Sequence, residues 1–295
     1  MGEAHRNKEY KTSPERAQYH GPTVAKFQKL KLYRRFAAMS LHLKKSLGQH
    51  FLHDESMLQK IAEAIGDLSP YKTVVEIGPG MGALTKYLLQ QKHPQFYVVE
   101  LDDRWAEHLK AAYPALREKV IHEDFLRTDL GFLQYPTHVV GNFPYNISSQ
   151  IVFRIIDERE KIETMTGMFQ KEVAVRIAAP HGSKDYGVTS VLTQAYYDCH
   201  YLFDVPPECF NPPPKVMSGI IRLQRKKEKN LGCDEVLLKK VVKAAFNQRR
   251  KTMRNSLKEF TGGKEIATNE IFNLRPEQIS VQQFIELTNL IQSAK

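Results

Sequence analysis

The chain has 295 residues, which is enough for one large domain and a smaller one. Its 42% hydrophobic and 26% charged residues are typical of a globular protein, and no apolar run approaches the ~18 residues that span a membrane. The three cysteines show no Cys-x-x-Cys spacing. This argues against a disulfide framework or a zinc site and favours a reducing, cytoplasmic location.

The net charge of +10 is concentrated in two segments. Residues 225–258 hold twelve lysines and arginines against three acids, and residues 1–38 hold nine against three. A basic segment on an otherwise mildly acidic chain is typical of a surface that binds a polyanion. The alternative is a solvated, salt-bridged helix face, but the segment has too few acids to neutralise its cations.

Residues 1–38 lack a sustained apolar period, and their three glutamates and missing apolar core argue against a secretory signal. Met39 follows directly, so we interpret residues 1–38 as a leader, a tag or a mis-assigned start, with little order. We expect an α/β domain over residues 39–225 and a helical domain over residues 226–295.

Strands and helices alternate in the first of these domains. Asp54 is placed to cap a helix that runs to about Ile65. The pattern continues with strands at 73–77, 96–100, 120–123 and 138–141, and helices at 83–91, 104–112 and 149–157. Alternation at this spacing predicts parallel βαβ units with right-handed crossovers.

The pattern changes after residue 160. A strand at 164–169 and helices at 171–178 and 188–197 are followed by two strands, 201–205 and 220–223, which a Pro-rich stretch joins without a helix. Two strands connected in this way predict an antiparallel pair at the sheet edge. After Arg225 the pattern predicts only helices, at 236–246, 250–260 and 276–292.

A glycine-rich turn, Gly78-Pro79-Gly80-Met81-Gly82, joins the first of these strands to the next helix. Glycines allow the backbone to turn sharply and approach a ligand, although a tight structural turn is the alternative. The next strand ends in Glu100, whose carboxylate can accept both hydroxyls of a ribose. A nicotinamide cofactor also fits these features, but its fingerprint needs a third glycine at the position of Ala83.

The third strand ends at Asp124-Phe125. A carboxylate there can accept from the adenine amine of a nucleoside cofactor, while Phe125 offers a backbone amide and an apolar wall. By itself Asp124 is more typical of a cap or turn. Together with the glycine turn and Glu100, it marks three successive strand ends on one sheet edge, where open α/β sheets bind ligands.

The fourth strand leads into Asn142-Phe143-Pro144-Tyr145. An adenine amine is a poor nucleophile, and two acceptors on its N–H bonds would localise its lone pair. The Asn142 side-chain oxygen and the Phe143 carbonyl can supply them, Pro144 stiffens the turn, and Tyr145 offers a face for an extruded base. The alternative is a Pro-Tyr turn without catalytic role. The motif predicts methylation of an adenine amine with no proton removed beforehand.

With these motifs the chain resembles the KsgA/RsmA family of ribosomal RNA adenine dimethyltransferases, from Lys44 to about Ile291. Beside the motifs above, the matching stretches are Lys44 to Leu52, Asn146-Ile147-Ser148, Val205 to Phe210 and Phe246 to Lys251. The resemblance implies a Rossmann-like class I methyltransferase sheet, mostly parallel with an antiparallel edge strand, and a small all-α C-terminal domain. It also implies S-adenosylmethionine as cofactor.

The resemblance also implies roles for individual residues. Gln49, His50 and Leu52 would contact the methionine end of the cofactor. Residues of the sheet edge would hold the backbone, ribose and adenine of the cofactor, namely Gly78, Gly80, Glu100, Asp124 and Phe125. Asn142 would link cofactor and target. Phe210 would close over the target base opposite Tyr145, although its pattern alone indicates a core aromatic. Two departures are His50 in place of the commoner Asn, and Phe143 in place of Leu.

We interpret the basic helical segment as an RNA-docking surface. Arg249, Arg250, Lys251 and Arg254 fall at a predicted helix–helix junction, where they could contact phosphates. The histidines show no metal-ligand spacing, and a sulfonium methyl group needs no metal, so no metal is expected. We expect a monomer without a membrane partner.

The target follows from the resemblance: two adjacent adenines near the 3′ end of small-subunit (16S) ribosomal RNA, modified during ribosome biogenesis. One alternative is methylation of large-subunit ribosomal RNA of the macrolide-resistance type. Another is a non-catalytic ribosome-assembly or transcription factor on the same fold. The basic helical segment and the residues of the Gly141–Tyr145 motif favour the small-subunit target over the large-subunit one. The intact Asn142, Tyr145 and cofactor motifs argue against a non-catalytic factor.

Overall fold

The computed structural model describes residues 50–93, 95–228, 230–261 and 269–294, all within one compact unit, Ser46–Lys295. The predictions for residues 1–38 and for Gln49 lie outside these ranges. Within them, no helix has both the length and the apolar character needed to cross a membrane.

The described chain contains a seven-stranded sheet in the order β4-β3-β2-β5-β6-β9-β7. Its strands are β2 (Thr73–Ile77), β3 (Phe96–Glu100), β4 (Val120–His122), β5 (Thr137–Asn142), β6 (Ile162–Gln170), β7 (Tyr197–Val205) and β9 (Ser218–Arg225). The strands from β4 to β6 pair in parallel, and β9 pairs antiparallel with both β6 and β7. The predicted mostly parallel sheet with an antiparallel edge is therefore confirmed.

Two further strands form a separate ribbon. β1 (Phe51–Leu52) pairs antiparallel with β8 (Phe210–Asn211), with Leu52 opposite Phe210. Backbone N–H groups of His53 and Asp54 extend the contact by donating to the Cys209 carbonyl. The ribbon ties the first described residues to the Pro-rich loop, a pairing that the sequence pattern did not predict.

The helices in the sheet-bearing part are α1 (Glu55–Ile65), α2 (Thr85–Leu88), α3 (Asp103–Ala112), α4 (Ser148–Asp157), α5 (Lys171–Ala178) and α6 (Val188–Gln194). Asp54 caps α1 as predicted, because its carboxylate accepts from the Met57 N–H at 2.7 Å. Asp102 caps α3 in the same way. α6 ends earlier than predicted, since Tyr197 already pairs with Arg225 in the sheet.

The two faces of the sheet are covered by different helices. Strand residues alternate in direction, so Val75 and Val139 lie in one buried cluster with α4 and α5, while Val74 and Val140 lie in another with α1 and α3. Both faces of a parallel sheet are covered, which explains why almost every residue of β2, β5 and β6 is buried.

The C-terminal part contains α7 (Glu235–Asn247), α8 (Met253–Ser256), α9 (Lys258–Thr261) and α10 (Val281–Ser293). The predicted helix at 250–260 is replaced by two short ones, and α10 begins later than predicted because Ser280 and Gln283 form a capping box at its start. These helices share a buried cluster with Tyr186 and Val191 of the α/β part. The division at residue 225 stays a prediction.

Candidate methyl-transfer site

A cavity opens at the edge of the sheet where the parallel strands end. It is lined by most of the residues that the sequence singled out: His50, Leu52, Gly78, Gly80, Glu100, Asp124, Phe125, Asn142, Phe143, Pro144 and Tyr145. Separate segments of the chain therefore meet at one site, as expected for a ligand site in an open α/β sheet.

The glycine turn after β2 takes a conformation that other residues avoid. Gly78, Gly80 and Gly82 have φ values of +64°, +53° and +80°. A Cβ atom at Gly80 would stand 2.8 Å from the ring of Phe51, and one at Gly82 the same distance from the ring of Tyr113. All three glycines are thus needed for the conformation of the turn, and Gly80 and Gly82 are also needed for space.

Glu100 at the end of β3 is held by backbone donors. The N–H groups of Gly80 and Asp102 each donate to its carboxylate at 2.9 Å, and the residue is only 6% exposed. Burial raises the pKa of this carboxyl, although the two N–H donors act in the opposite direction. The carboxylate lines the cavity and has lone pairs left for hydroxyl donors.

The two interpretations of Asp124, a turn residue and a residue of the ligand cavity, are compatible with each other. Its carboxylate accepts from the Leu126 N–H at 2.9 Å, which makes it a turn residue, and it also lines the cavity. The buried side chain of Phe125 forms the adjoining apolar wall. A carboxylate can accept several hydrogen bonds, so the turn bond leaves capacity for a ligand amine.

Glu76 is a cavity residue to which the sequence analysis assigned no role. It precedes the glycine turn in β2, is 2% exposed, and accepts from the Thr85 hydroxyl at 2.6 Å. Burial, with a smaller contribution from nearby Glu100, raises the pKa of Glu76 to about 8. Leu101, 49% exposed on the cavity wall, was also missed. The position of both residues beside a recognised motif was the available signal.

Asn142 is oriented by the residue that precedes β1. Its Nδ2 donates to the carbonyl oxygen of His50 at 3.1 Å, so its Oδ1 is the end left for another donor. The Asn142 backbone belongs to β5 and pairs with Met168 of β6. The side chain is therefore supported from the sheet on one side and from the start of the ribbon on the other.

The Phe143 ring is buried against two glycines. Cβ atoms at Gly141 of β5 or Gly167 of β6 would overlap this ring, and the Phe143 N–H donates to the Met168 carbonyl at 3.1 Å. These contacts fix the turn that follows β5. The larger side chain found here in place of Leu thus packs into space that two glycines leave open.

The Tyr145 side chain is restrained at its hydroxyl group and on a face of its ring. Its hydroxyl lies 2.5 Å from the Ser218 hydroxyl, and its ring stacks against His50 with centroids 5.6 Å apart. Burial raises the pKa of the Tyr145 phenol, which keeps the hydroxyl neutral. The stiffening contacts come from β9 and from the first described residue, neither of which is near Tyr145 in sequence.

Phe210 is not placed as an exposed aromatic. Its pairing with Leu52 directs the side chain into the core, where it is 2% exposed, and it does not line the cavity. This burial agrees with the core pattern of the residue in the sequence. Its predicted role in closing over a base is a separate matter and stays a prediction.

Trp105 supports the cavity from behind. It is 1% exposed, and its ring meets that of Phe51 in an edge arrangement with centroids 5.2 Å apart. Because Phe51 in turn covers Gly80, the tryptophan lies one side chain away from the glycine turn. It is the single tryptophan of the sequence.

The predicted RNA-contacting residues lie where expected, in the turn between α7 and α8 and on α8 itself. Arg250, Lys251 and Arg254 are exposed, whereas Arg249 is half-buried and donates to the Lys184 carbonyl. Among the described residues none of the four pairs with a carboxylate, although Arg254 donates to Asn273 at 3.1 Å. The same part of the chain holds no cluster of three metal-ligating side chains.

The chain is similar to known proteins over most of its length. It is 52% identical to the ribosomal RNA small subunit methyltransferase A of Cytophaga hutchinsonii, across 84% of this chain and 96% of that protein. It is 50% identical to the protein of the same name from Bacteroides fragilis, across 85% and 93%.

Solved structures share the fold. A dimethyladenosine transferase from Plasmodium falciparum superposes with a TM-score of 0.71 at 23% identity, covering 83% of this chain and 98% of that one. The 23S rRNA methyltransferase ErmE gives a TM-score of 0.61 at 26% identity, covering 81% and 99%. The sheet is thus the Rossmann-like sheet of class I methyltransferases. Residues 40–293 match the family described as ribosomal RNA adenine dimethylase, and the chain belongs to that family.

Proposed function

We propose that this enzyme transfers methyl groups from S-adenosylmethionine to N6 of two adjacent adenines near the 3′ end of small-subunit ribosomal RNA, giving N6,N6-dimethyladenosine. The observation that carries the proposal is that a single cavity joins the Asn142–Tyr145 turn to Gly78, Glu100 and Asp124. Relatives with about half of their residues identical, and named for the small subunit, support this target.

The residues at the sheet edge fit an S-adenosyl nucleoside. Glu100 is buried and preorganised to accept from ribose hydroxyls, Asp124 can accept from an adenine amine, and Phe125 and Leu101 offer apolar surface to its ring. Gly78 and Gly80 line the cavity without side chains, so a ligand could approach the backbone of the turn closely. When bound, S-adenosylmethionine supplies a methyl group that its sulfonium charge has already activated.

The Asn142–Tyr145 turn would hold the target amine. The Asn142 Oδ1 and the Phe143 carbonyl would accept from its two N–H bonds, which localises the lone pair and directs it at the methyl group. Tyr145 would stack on the base once it is extruded from the RNA. Asn142 carries no charge, so it orients the amine without removing a proton, and the proton leaves after transfer.

Further parts of the proposal extend beyond the cavity. Gln49, His50 and Leu52 would contact the methionine end of the cofactor, and Phe210 would leave its buried position to close over the base. Arg249, Arg250, Lys251 and Arg254, in a helical domain that begins at residue 226, would dock phosphates of the small subunit. The enzyme would act in the cytoplasm as a monomer without a metal.

The second candidate is methylation of large-subunit ribosomal RNA, which the likeness to ErmE favours. The higher identity to proteins named for the small subunit argues for the first target. A non-catalytic assembly factor on this fold would not need the intact Asn142 and the preorganised Glu100 that the cavity contains.

One experiment separates the three functions. The full chain is incubated with S-adenosylmethionine labelled in its methyl group and with small and large subunits from cells that lack the modification, both assembled and as naked RNA. We expect label on two adjacent adenines of the small-subunit RNA. Label only on the large-subunit RNA would establish the second candidate, and no label on any RNA would leave the non-catalytic function.

A further inference from the structure

His50 contacts three elements on the side of the cavity where the target amine would lie. Its carbonyl oxygen accepts from Asn142, its Nδ1 lies 2.9 Å from the Pro212 carbonyl oxygen, and its ring stacks on Tyr145 at an interplanar angle of 29°. We propose that His50 is a positioning residue that sets the orientation of the Asn142 amide and the Tyr145 ring for methyl transfer. This inference rests on the proposed function and deepens it.

The Asn142 amide has two chemically different ends, and only one of them can serve an amine donor. A carbonyl oxygen can only accept, so the end that faces the His50 carbonyl must be Nδ2. Rotating the amide by half a turn would replace this bond with two oxygens in contact. The His50 carbonyl therefore selects the orientation in which Oδ1 is left for the target amine.

The carbonyl can select an orientation only if it is itself held in place. On one side the chain continues into β1, which pairs with β8. On the other, the imidazole reaches the loop after β8: because the Pro212 carbonyl only accepts, Nδ1 must carry the proton and donate. The peptide between these contacts is fixed by the ribbon and by its own side chain together.

The same imidazole restrains Tyr145. The Ser218 hydroxyl fixes the position of the phenol oxygen, but one hydrogen bond leaves the ring free to rotate about its long axis. The stacked His50 ring limits that rotation and so sets the plane that a base would meet. One side chain thus aligns the amine acceptor and the stacking face.

Three substitutions separate these contributions. His50→Ala removes both the donor and the ring. His50→Asn keeps a donor at the δ position, which can still reach the Pro212 carbonyl, but it lacks the ring. His50→Phe keeps a ring on Tyr145 without the donor. Each variant is compared with the wild type in single-turnover methylation of unmodified small subunits at saturating S-adenosylmethionine, in affinity for S-adenosylmethionine by calorimetry, and in thermal unfolding.

We expect His50→Ala to lower the single-turnover rate by about 10- to 100-fold, the loss typical of a misplaced reacting group. Any fall in its affinity for S-adenosylmethionine would belong to the proposed contact of His50 with the methionine end of the cofactor, so the rates are compared at saturating cofactor, where that contact does not limit them. His50→Asn and His50→Phe should each recover part of the rate. A fourth variant, His50→Leu, fills similar space without the donor or the aromatic ring and should recover no rate; recovery by leucine would show that His50 only fills space.

Two results would overturn the positioning role and leave the proposed function intact. They are a wild-type rate in His50→Ala at saturating S-adenosylmethionine, and a loss of rate that neither conservative variant recovers while thermal stability falls. A wild type that methylates no RNA would overturn the proposed function and this inference together.

Discussion

At the scale of single residues, the proposed chemistry depends most on Asn142. Its amide is an uncharged side-chain acceptor that lines the cavity and whose orientation is fixed by a hydrogen bond to the His50 carbonyl. Preorganised acceptors of this kind act by fixing the geometry of a reaction in advance, so their removal affects the rate more than binding.

We predict that Asn142→Ala lowers single-turnover methylation by about 10²- to 10³-fold, the range found when one preorganised polar group is removed. Binding of the small subunit should be retained, because docking would depend on residues elsewhere. Rates are measured with labelled cofactor and binding by filter retention. Asn289→Ala is the matched control, since Asn289 also donates to a backbone carbonyl, at 3.0 Å, but lies on α10. Unchanged methylation in Asn142→Ala would refute the mechanism.

At the scale of secondary-structure elements, β5 and β6 are joined by more than their parallel pairing. The Phe143 ring lies over Gly141 and Gly167, one glycine from each strand, and a Cβ at either position would overlap it. The turn that carries the target-side acceptors is therefore anchored by an aromatic ring whose space depends on two neighbouring strands.

We predict that Gly167→Ala destabilises the protein by about 1–3 kcal/mol, the usual cost of overpacking a core. The added methyl group must push the Phe143 ring aside. Phe143→Leu should relieve this overlap, so the double variant should be more stable than the sum of the two single effects indicates. Chemical denaturation of all four proteins gives the coupling energy. Strict additivity would show that the ring and Gly167 do not compete for space.

The elements differ in how far the sequence could predict them. The buried strands and Asp54-capped α1 follow from apolar periodicity and a local cap, and both are confirmed. The helix predicted at 250–260 fails because Thr252 has an extended backbone, with ψ at 159°, and the Met253 N–H donates to the Leu274 carbonyl, far away in sequence. The β1–β8 ribbon has two residues on each strand, too few for any periodic signal.

The site residues also divide into those that a local pattern predicts and those that depend on contacts distant in sequence. Gly78, Glu100, Asp124 and Asn142 were predictable because each lies at or just beyond the end of a strand, and parallel strands end at one edge. The pairing of Phe210 with Leu52 and the contacts of His50 with Pro212 and Tyr145 join segments far apart in sequence, so only the folded chain shows them.

At the scale of the whole molecule, the sheet core contains an acid whose protonation is linked to folding. Burial raises the pKa of Glu76 to about 8, above its ordinary value of 4.5. Between these values the folded protein holds a proton that the unfolded chain has released, so the free energy of unfolding falls as pH rises. Burial lowers the pKa of His138 from 6.5 to about 3, so this residue changes the free energy of unfolding only below about pH 6.5.

We therefore predict that stability falls between pH 6.5 and pH 8, the window in which Glu76 titrates and His138 does not. Glu76→Gln should remove most of this fall, since the neutral amide can still accept from the Thr85 hydroxyl. Urea unfolding of both proteins at several pH values tests the prediction. Equal pH profiles for the two would show that Glu76 is not the linked group.

The charge distribution of the whole molecule leads to a test of docking. Truncation after Arg225 would expose Tyr186 and Val191, which pack against the C-terminal helices. Because this exposure could itself destabilise the protein, docking is better tested by substitutions in the full chain. We predict that Arg250→Ala combined with Lys251→Ala weakens binding of the small subunit. It should also lower the slope of log affinity against log salt by about 0.7–0.9 for each phosphate that the two side chains neutralise.

Cofactor affinity should be unchanged in this double variant, because neither residue lines the cavity. Lys72→Ala combined with Lys92→Ala is the matched control, because it also removes two charges: both lysines are exposed and precede the starts of β2 and β3. If the control weakened binding as much as the double variant, the attraction would come from net charge and not from a docking surface.

The contact between Trp105 and Phe51 also gives the protein an optical probe. Trp105 is the sole indole chromophore, is shielded from water, and touches the ring that covers Gly80. A ligand that displaces Phe51 by even a small amount would change the surroundings of the indole and hence its emission. Occupancy of the cavity can therefore be followed by intrinsic fluorescence in the unlabelled wild type, and Phe51→Leu should weaken that signal.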